Sequence, residues 1–417
     1  MKIHIKNGRL IDPKNHIDAK QDLYIAAGKI VAVGAAPDGF NPNRVIDAGG
    51  LVVCPGLVDL SARLREPGFE YKATLESEML AAVAGGVTSL VCPPDTDPPL
   101  DEPGLVEMLK HRAKSLNQAR VYPLGALTQS LAGERLTEMA ELHDAGCIGF
   151  SHADVALTDT NVLLHAMQYA ATFDFTVWLR PQDAFLAKDG VAHDGEVATR
   201  LGLAAIPSCA ETIALSSILA LARETGARIH LCRLSSREGV AMVRAAKAEG
   251  LPVTCDVAIH HAHLSEMDIG FFDTNCHLVP PLRSLRDRDG LREALADGTV
   301  DALCSDHAPV DDDAKLLPFA EAEPGATGLE LLLPLTLKWA KETGAPLSAA
   351  IAKISTEPAR ILALNNGHLG AGQSADICIF DPEQYWKVEP ASLKSQGRNT
   401  PFVGMELQGR VRVTLVE

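Results

Sequence analysis

The sequence predicts an α/β protein, a (β/α)8 barrel of the TIM type joined to a small composite β domain made from both chain ends. Three observations carry this. The middle of the chain alternates short apolar strands with helical segments, the pattern of a parallel sheet wrapped by helices. Both ends read as β-strands only. The apolar residues 51–60 run directly into a polar, charged segment, residues 61–68, where barrels of this kind build their sites.

Taken in order, residues 1–50 are short strands. Ile3, Ile5, Leu10 and Ile11 surround Asn7-Gly8, a hairpin signal, and Leu23, Ile25, Ile30 and Val33 flank Gly28-Lys29 in the same way. The barrel is expected over residues 51–362. Val52, Val53 and Cys54 are apolar, Pro55-Gly56 punctuates, and residues 57–60 are apolar again. Residues 74–84 read as a helix stopped by Gly85-Gly86, followed by a strand at 87–92 and a helix at 101–115. Further strands are expected at 147–150, 176–179, 228–232, 252–257 and 300–304, with helices between them, as at 213–225 and 237–249. No G-x-G-x-x-G follows the first strand, which disfavours a doubly wound dinucleotide fold. Residues 363–417 return to β structure, with a strand at 375–380 and a hairpin over 403–415 turning near Gln408-Gly409. The expected domains are residues 1–50 with 363–417 as a β-sandwich, and 51–362 as the barrel.

Composition narrows the function. The 417 residues are 47% hydrophobic and 22% charged, with a formal net charge of −16. That acidity argues against nucleic acid, which needs a basic footprint. No apolar run reaches the length of a membrane span. The N-terminus lacks the apolar core of a signal peptide, and the nine cysteines contain no C-x-x-C pair. Free thiols in a reducing, cytoplasmic compartment are the expectation.

The segment Pro55-Gly56-Leu57-Val58-Asp59-Leu60, followed by Leu64-Arg65-Glu66-Pro67-Gly68, resembles the signature of dihydroorotases, within the cyclic amidohydrolase family. The likeness extends through Gly85-Gly86-Val87-Thr88, Pro324-Gly325-Ala326-Thr327-Gly328 and Ser355-Thr356-Glu357-Pro358-Ala359. It implies an amidohydrolase barrel whose strand ends hold catalytic metal. Position by position, that site is altered. The family's first strand ends in His-x-His; here Ser61 and Arg63 stand there. At the third strand the family has an acid or a modified lysine; this chain has Ser151-His152-Ala153-Asp154, with the carboxylate displaced. A family His-x-Glu becomes Arg180 and Gln182. At the next strand the ligand histidine falls on Arg233, while His230 survives out of place. Asp306 falls on the family's metal ligand and general base, and a following histidine is Val310. On the substrate side, Arg65 matches the arginine that grips the substrate carboxylate, but Asp95 and Val279 replace its asparagine helpers, and Asp95 would repel an anion. His260-His261 matches a retained pair, expected as histidines packed at a strand end.

Arginine has only hydrogen-bond donors and stays protonated, so it cannot ligate a metal. At ~4 Å and an effective dielectric of 20, a unit charge pair is worth about 4 kcal/mol, and a dication meets roughly twice that from each guanidinium. The expectation is a vestigial site with no metal and no cofactor, its guanidinium groups standing in the metal's electrostatic place and holding Asp306 and neighbouring acids. The resemblance then implies a non-catalytic dihydroorotase homologue of pyrimidine biosynthesis. Its role would be that of a structural subunit, forming a homo-oligomer within a larger hetero-oligomer with the aspartate transcarbamoylase catalytic chain. The alternative is an active cyclic amidohydrolase, zinc-dependent or metal-free, with a divergent site.

Overall fold

The structure, a computed structural model, describes all 417 residues. Its architecture turns on Gly56, where the chain changes sheet. Val52–Pro55 pairs antiparallel with Ile377–Lys387 and parallel with Arg9–Asp12, whereas Leu57–Asp59 pairs parallel with Val87–Cys92. A Cβ on Gly56 would lie 2.3 Å from Thr88 Oγ1, so the crossing needs a residue without a side chain. The barrel therefore begins at Leu57, and the expected division at residues 50 and 51 moves to Gly56. The sequence hides this because both halves of the run are fully buried, and burial alone does not say in which sheet.

Eight parallel strands form the barrel. They are Leu57–Asp59, Val87–Cys92, Arg120–Pro123 continued by Gly125–Ala126, Phe150–Ser151, Thr176–Leu179, Arg228–Leu231, Val253–Ala258 and Ala302–Cys304. The ring closes just past the last strand: the Arg63 N–H donates to His307 O (2.8 Å) and the His307 N–H to Ser61 O (3.1 Å). The strands are apolar on both faces because helices cover the outside and packed side chains fill the inside. One core of 77 buried residues joins barrel and helices, with Trp339, Phe150 and Phe380 among its largest side chains. The helices follow the sequence reading within a few residues. Leu75–Ala84 starts at Thr74, whose side chain accepts from the Ser77 N–H. Pro103–Ser115 and Cys209–Thr225 follow, and Arg237–Ala248 is capped by Ser236. No helix is long and apolar enough to cross a membrane.

The terminal β domain has two sheets around a separate cluster that includes Ile3, Ile5, Leu23, Val53 and Ile379. The hairpin expected around Gly28-Lys29 forms with its turn one residue earlier, at Ala27-Gly28, both at positive φ and joining Leu23–Ala26 to Lys29–Val33. Two other expected hairpins do not form. Asn7, at φ 65°, makes a corner: Lys2–Lys6 stays in the four-stranded sheet while Arg9–Asp12 leaves for the five-stranded one. Gln408-Gly409 lies inside one long strand, Glu406–Leu415, paired with Ile377–Lys387. Gly409 takes φ 97° there so that Leu337 can approach its Cα; a Cβ would lie 2.4 Å from Leu337 Cδ1. The same glycine signals a close approach in one context and a turn in another.

Gly86 locks the two domains together in the same manner. It sits at φ +84°, and a Cβ there would meet Cys378 Sγ at 2.6 Å. Gly86→Ala is expected to cost about 2 kcal/mol, from the left-handed backbone and the clash together. Denaturant unfolding measures it, and adding Cys378→Ala should restore part of the loss.

Candidate functional site

Three of the barrel strands end by delivering a guanidinium to the mouth. Arg63 follows the first strand, Arg180 the strand Thr176–Leu179, and Arg233 the strand Arg228–Leu231. Their side chains are only 7%, 4% and 5% exposed. Buried cations must find anions. They find one above all, Asp154, in the loop after Phe150–Ser151.

The geometry at Asp154 is a three-way clamp. Arg63 Nη2 donates to Oδ2 at 2.5 Å, and Arg180 Nε to Oδ1 at 2.7 Å. Arg233 Nη2 also donates to Oδ1, at 2.5 Å, and Arg180 Nη2 takes the Asp154 main-chain carbonyl at 2.8 Å. The remaining donors are spent on other acceptors. Arg63 Nε reaches Asp95 at 2.8 Å and its Nη1 lies 3.6 Å from Asp306. Arg233 Nη1 donates to Asp306 Oδ1 at 3.0 Å and to the Val279 carbonyl at 3.3 Å. Arg180 Nη1 donates to Gln182 Oε1. Ser61 Oγ lies 3.5 Å from Asp306 Oδ1. Three guanidiniums and three carboxylates thus close on one another.

Electrostatics follow from that arrangement. Burial would raise the Asp154 carboxyl, but Arg233, Arg63 and Arg180 hold it well below the usual carboxylate range. Its side chain stays about a third open because it faces the lumen. Burial pushes Asp306 up from its ordinary value, against the pull of Arg233 and Arg63. Arg63, Asp95, Asp154, Arg180, Arg233 and Asp306 are therefore brought together as the sequence led one to expect for the arginines and Asp306. Asp95, expected to repel an anion, is instead paired with Arg63.

A second layer holds this one. The Arg233 N–H donates to Asp256 Oδ1 at 2.6 Å, and Asp256 Oδ2 lies 2.9 Å from His230 Nε2; His230 Nδ1 meets Thr254 Oγ1 at 2.8 Å. His230 is thus a support beneath the mouth. His307 turns away from the lumen: Nε2 lies 2.6 Å from Glu78 Oε2, and Nδ1 accepts from the Gly328 N–H at 3.1 Å. Asp59 accepts from both the N–H and the hydroxyl of Ser305, and burial raises its carboxyl to about 7. His260 and His261 are buried at the end of Val253–Ala258. Neither ring nitrogen of His260 has a partner, and burial lowers both histidines, to about 3 and about 4.

Two expected vestigial residues stand aside. Arg65 Nε donates to the Pro309 carbonyl at 2.8 Å and Nη2 lies 4.0 Å from Glu323, so it is turned along the loop wall. The Val310 N–H donates to Asn399 Oδ1, which ties its segment to the C-terminal residues. Asp154 was the residue the sequence reading passed over, noting only a displaced carboxylate. Charge balance could have found it, since three buried arginines need more acid than Asp306 supplies.

The family likeness implies a divalent metal at these strand ends. The side chains present do not fit one. Three of the expected ligand positions are guanidiniums, whose nitrogens only donate, and each of the acids is engaged by at least one of them. No group of three or more His, Cys, Asp or Glu is arranged to hold a metal ion. The cavity beside Arg180, lined by Leu157, Leu163, Ile213 and Ile218 together with Gln182 and Asp183, is about 120 Å³ and presents polar and apolar surface in near-equal measure. That is small against ligand pockets of roughly 300 Å³ or more.

Comparison with known proteins agrees with the fold. A family model described as dihydro-orotase-like matches residues 50–239, and an amidohydrolase family model matches residues 196–417. The whole chain is 47% identical to a dihydroorotase-like protein of Pseudomonas aeruginosa and 44% identical to one of Pseudomonas putida, each covered to 98%. A protein named dihydroorotase from Syntrophotalea carbinolica is 41% identical over the full chain, also covered to 98%. Among solved structures, an L-hydantoinase from Arthrobacter aurescens matches with a TM-score of 0.89 at 25% identity, over 99% of this chain and 94% of that one.

Asp154→Asn removes the central charge and leaves its guanidinium partners under-compensated. Breaking a buried pair costs 3–5 kcal/mol, and with Asp154 partly open about 3 kcal/mol is expected. The Asp154 carboxyl lies below its ordinary value of 3.8 in the folded protein. Its contribution is therefore full above that value and drains as the pH falls below it. Denaturant midpoints of wild type and Asp154→Asn should differ by a constant amount from about pH 8 to about pH 5 and begin to draw together only below about pH 4, with a difference still present at about pH 3.

Proposed function

The chain belongs to the dihydroorotase-like family of amidohydrolases, and we propose that it is a non-catalytic member, a structural subunit that binds aspartate transcarbamoylase and supports its assembly. The observation that carries this is the clamp of Arg63, Arg180 and Arg233 on Asp154. Hydrolysis of a cyclic amide needs an activated water and a group to polarise the carbonyl. In this mouth the acid that a base would require, Asp306, is engaged by Arg233, and the donors that could polarise a carbonyl are spent on carboxylates. We therefore infer that no zinc is bound and that the mouth serves as an internal strut.

The frame around it is kept. Arg65, Ala153, Arg233 and Asp306 hold positive φ values, from 45° to 62°, in the mouth loops. Such backbone costs of order 1–3 kcal/mol per residue and is retained when surrounding structure fixes it. A body kept in this detail fits a role in assembly. Both similar proteins of Pseudomonas are named dihydroorotase-like and not dihydroorotase. Assembly with the aspartate transcarbamoylase catalytic chain, in a homo-oligomer within a larger complex, is the partnership this reading carries, and it places the chain in the cytoplasm. A second reading, an active cyclic amide hydrolase with a divergent site, is favoured by the 41% identity to a relative named dihydroorotase.

Three measurements separate them. Elemental analysis after dialysis should find far less than one zinc per chain. Dihydroorotate hydrolysis should stay at background with and without added zinc. Light scattering of a mixture with the aspartate transcarbamoylase catalytic chain should give one heavier species. Zinc at about one per chain with turnover would establish the hydrolase; separate peaks at micromolar concentration would remove the partner.

A further inference from the structure

The two most exposed large apolar side chains of the molecule lie on neighbouring loops that follow the last two barrel strands. Phe271 is 89% exposed and Leu316 81%, and Met267, Leu317 and Phe272 are exposed beside them. The loops lie side by side: Thr274 Oγ1 donates to the Lys315 carbonyl at 2.7 Å, and Lys315 Nζ donates to the Thr274 carbonyl at 2.9 Å. Neither loop buries these side chains in the core, and nothing in the chain covers them. Apolar surface gathered in one place on a soluble domain marks a contact surface.

The rim around it has one sign. Asp268 and Asp273 on the first loop, and Asp312, Asp313 and Glu321 on the second, are exposed carboxylates. The one cation of these segments, Lys315, is turned inward onto Thr274. The rim decides the occupant. A second copy meeting this face through a two-fold axis would bring the same carboxylates against one another. Another face of a second copy belongs to a chain of net charge −16. An anionic membrane is repelled for the same reason.

We propose that the face formed by Met267, Phe271, Phe272, Leu316 and Leu317 docks a different protein, one that presents an apolar centre ringed by lysine and arginine. The inference rests on the assembly role proposed above and locates it. The apolar centre supplies affinity, and the acidic rim steers a basic partner and excludes acidic ones. The Arg–Asp clamp lies beneath in the same barrel mouth and makes the strand ends from which these loops spring rigid.

The test uses the full chain and the double variant Phe271→Ser/Leu316→Ser, whose side chains are too exposed to hold the fold. Two probes are titrated: the aspartate transcarbamoylase catalytic chain, and an amphipathic helical peptide of leucine and lysine, with its leucine–glutamate counterpart as control. Wild type should bind the basic peptide, bind it less as salt rises, and ignore the acidic one; the double variant should lose at least tenfold in affinity. The catalytic chain should show the same loss. If it binds wild type and variant equally, the surface is wrong while the assembly role stands. If it binds neither but the basic peptide still discriminates, the surface stands and the named partner falls. Equal peptide binding by both proteins, no binding of the basic peptide, or a fall in self-association in the variant alone, overturns the inference.

Discussion

The mouth of this barrel depends on one carboxylate. Asp154 accepts from Arg63, Arg180 and Arg233 within 2.7 Å, and without it three nearly buried cations would share only Asp95 and Asp306, with Arg180 left without a carboxylate. Like charges at such separations in a medium of low dielectric repel by several kcal/mol each. The pairing is placed by backbone as much as by attraction. The short strand Phe150–Ser151 ends, the Ala153 N–H donates to Ser151 Oγ at 3.0 Å, and Ala153 at φ 51° turns the chain so that Asp154 points inward. His152 fixes the turn, with Nε2 2.9 Å from Thr128 Oγ1 and Nδ1 2.8 Å from the Val155 carbonyl.

The layer below explains why the clamp stays in register. Arg233 can hold φ 53° because its N–H is taken by Asp256, which His230 and Thr254 brace in turn. On the opposite side, Asp59 and Ser305 tie the first strand to the last, and Glu78 draws His307 outward, which sets the adjoining Asp306 at φ 45° facing Arg233. Residues that a metal site would have used as ligands or supports are here the struts of an ion-pair cluster. Arginine suits that task because its planar fork makes several directed bonds at once, as Arg63 does across Asp95 and Asp154.

Much of this was legible in the sequence, and the gaps have physical causes. Strand-and-helix alternation gave the barrel, and guanidiniums at imidazole positions gave the character of the site. The central acid was missed because Asp154 is displaced from the position a ligand would take, and pattern matching looks only at matched positions. Charge neutrality is a property of the folded mouth and does not reside in any one segment. The sheet change at Gly56 was hidden within a uniformly apolar run. Asn7 and Gly409 were misread because a positive φ serves a corner, a bulge and a hairpin equally, and only the partner strand decides.

The positions of strain bear on what the fold was shaped to do. Four of the fourteen non-glycine residues with left-handed backbone, Arg65, Ala153, Arg233 and Asp306, lie at the end of the barrel where the clamp forms. A chain free of any demand at that end would relax these residues, since each costs stability that a neutral substitution or a loop change recovers. The clamp supplies one demand: it fixes the lumen side of the loops. The exposed Phe271 and Leu316 point to another on the solvent side, because apolar loop tips favour aggregation unless something covers them. A rigid lumen and an apolar crown are complementary requirements. A docking face loses less entropy on binding when its loops are already held, and here the holding comes from paired charge where relatives of this fold are expected to use metal.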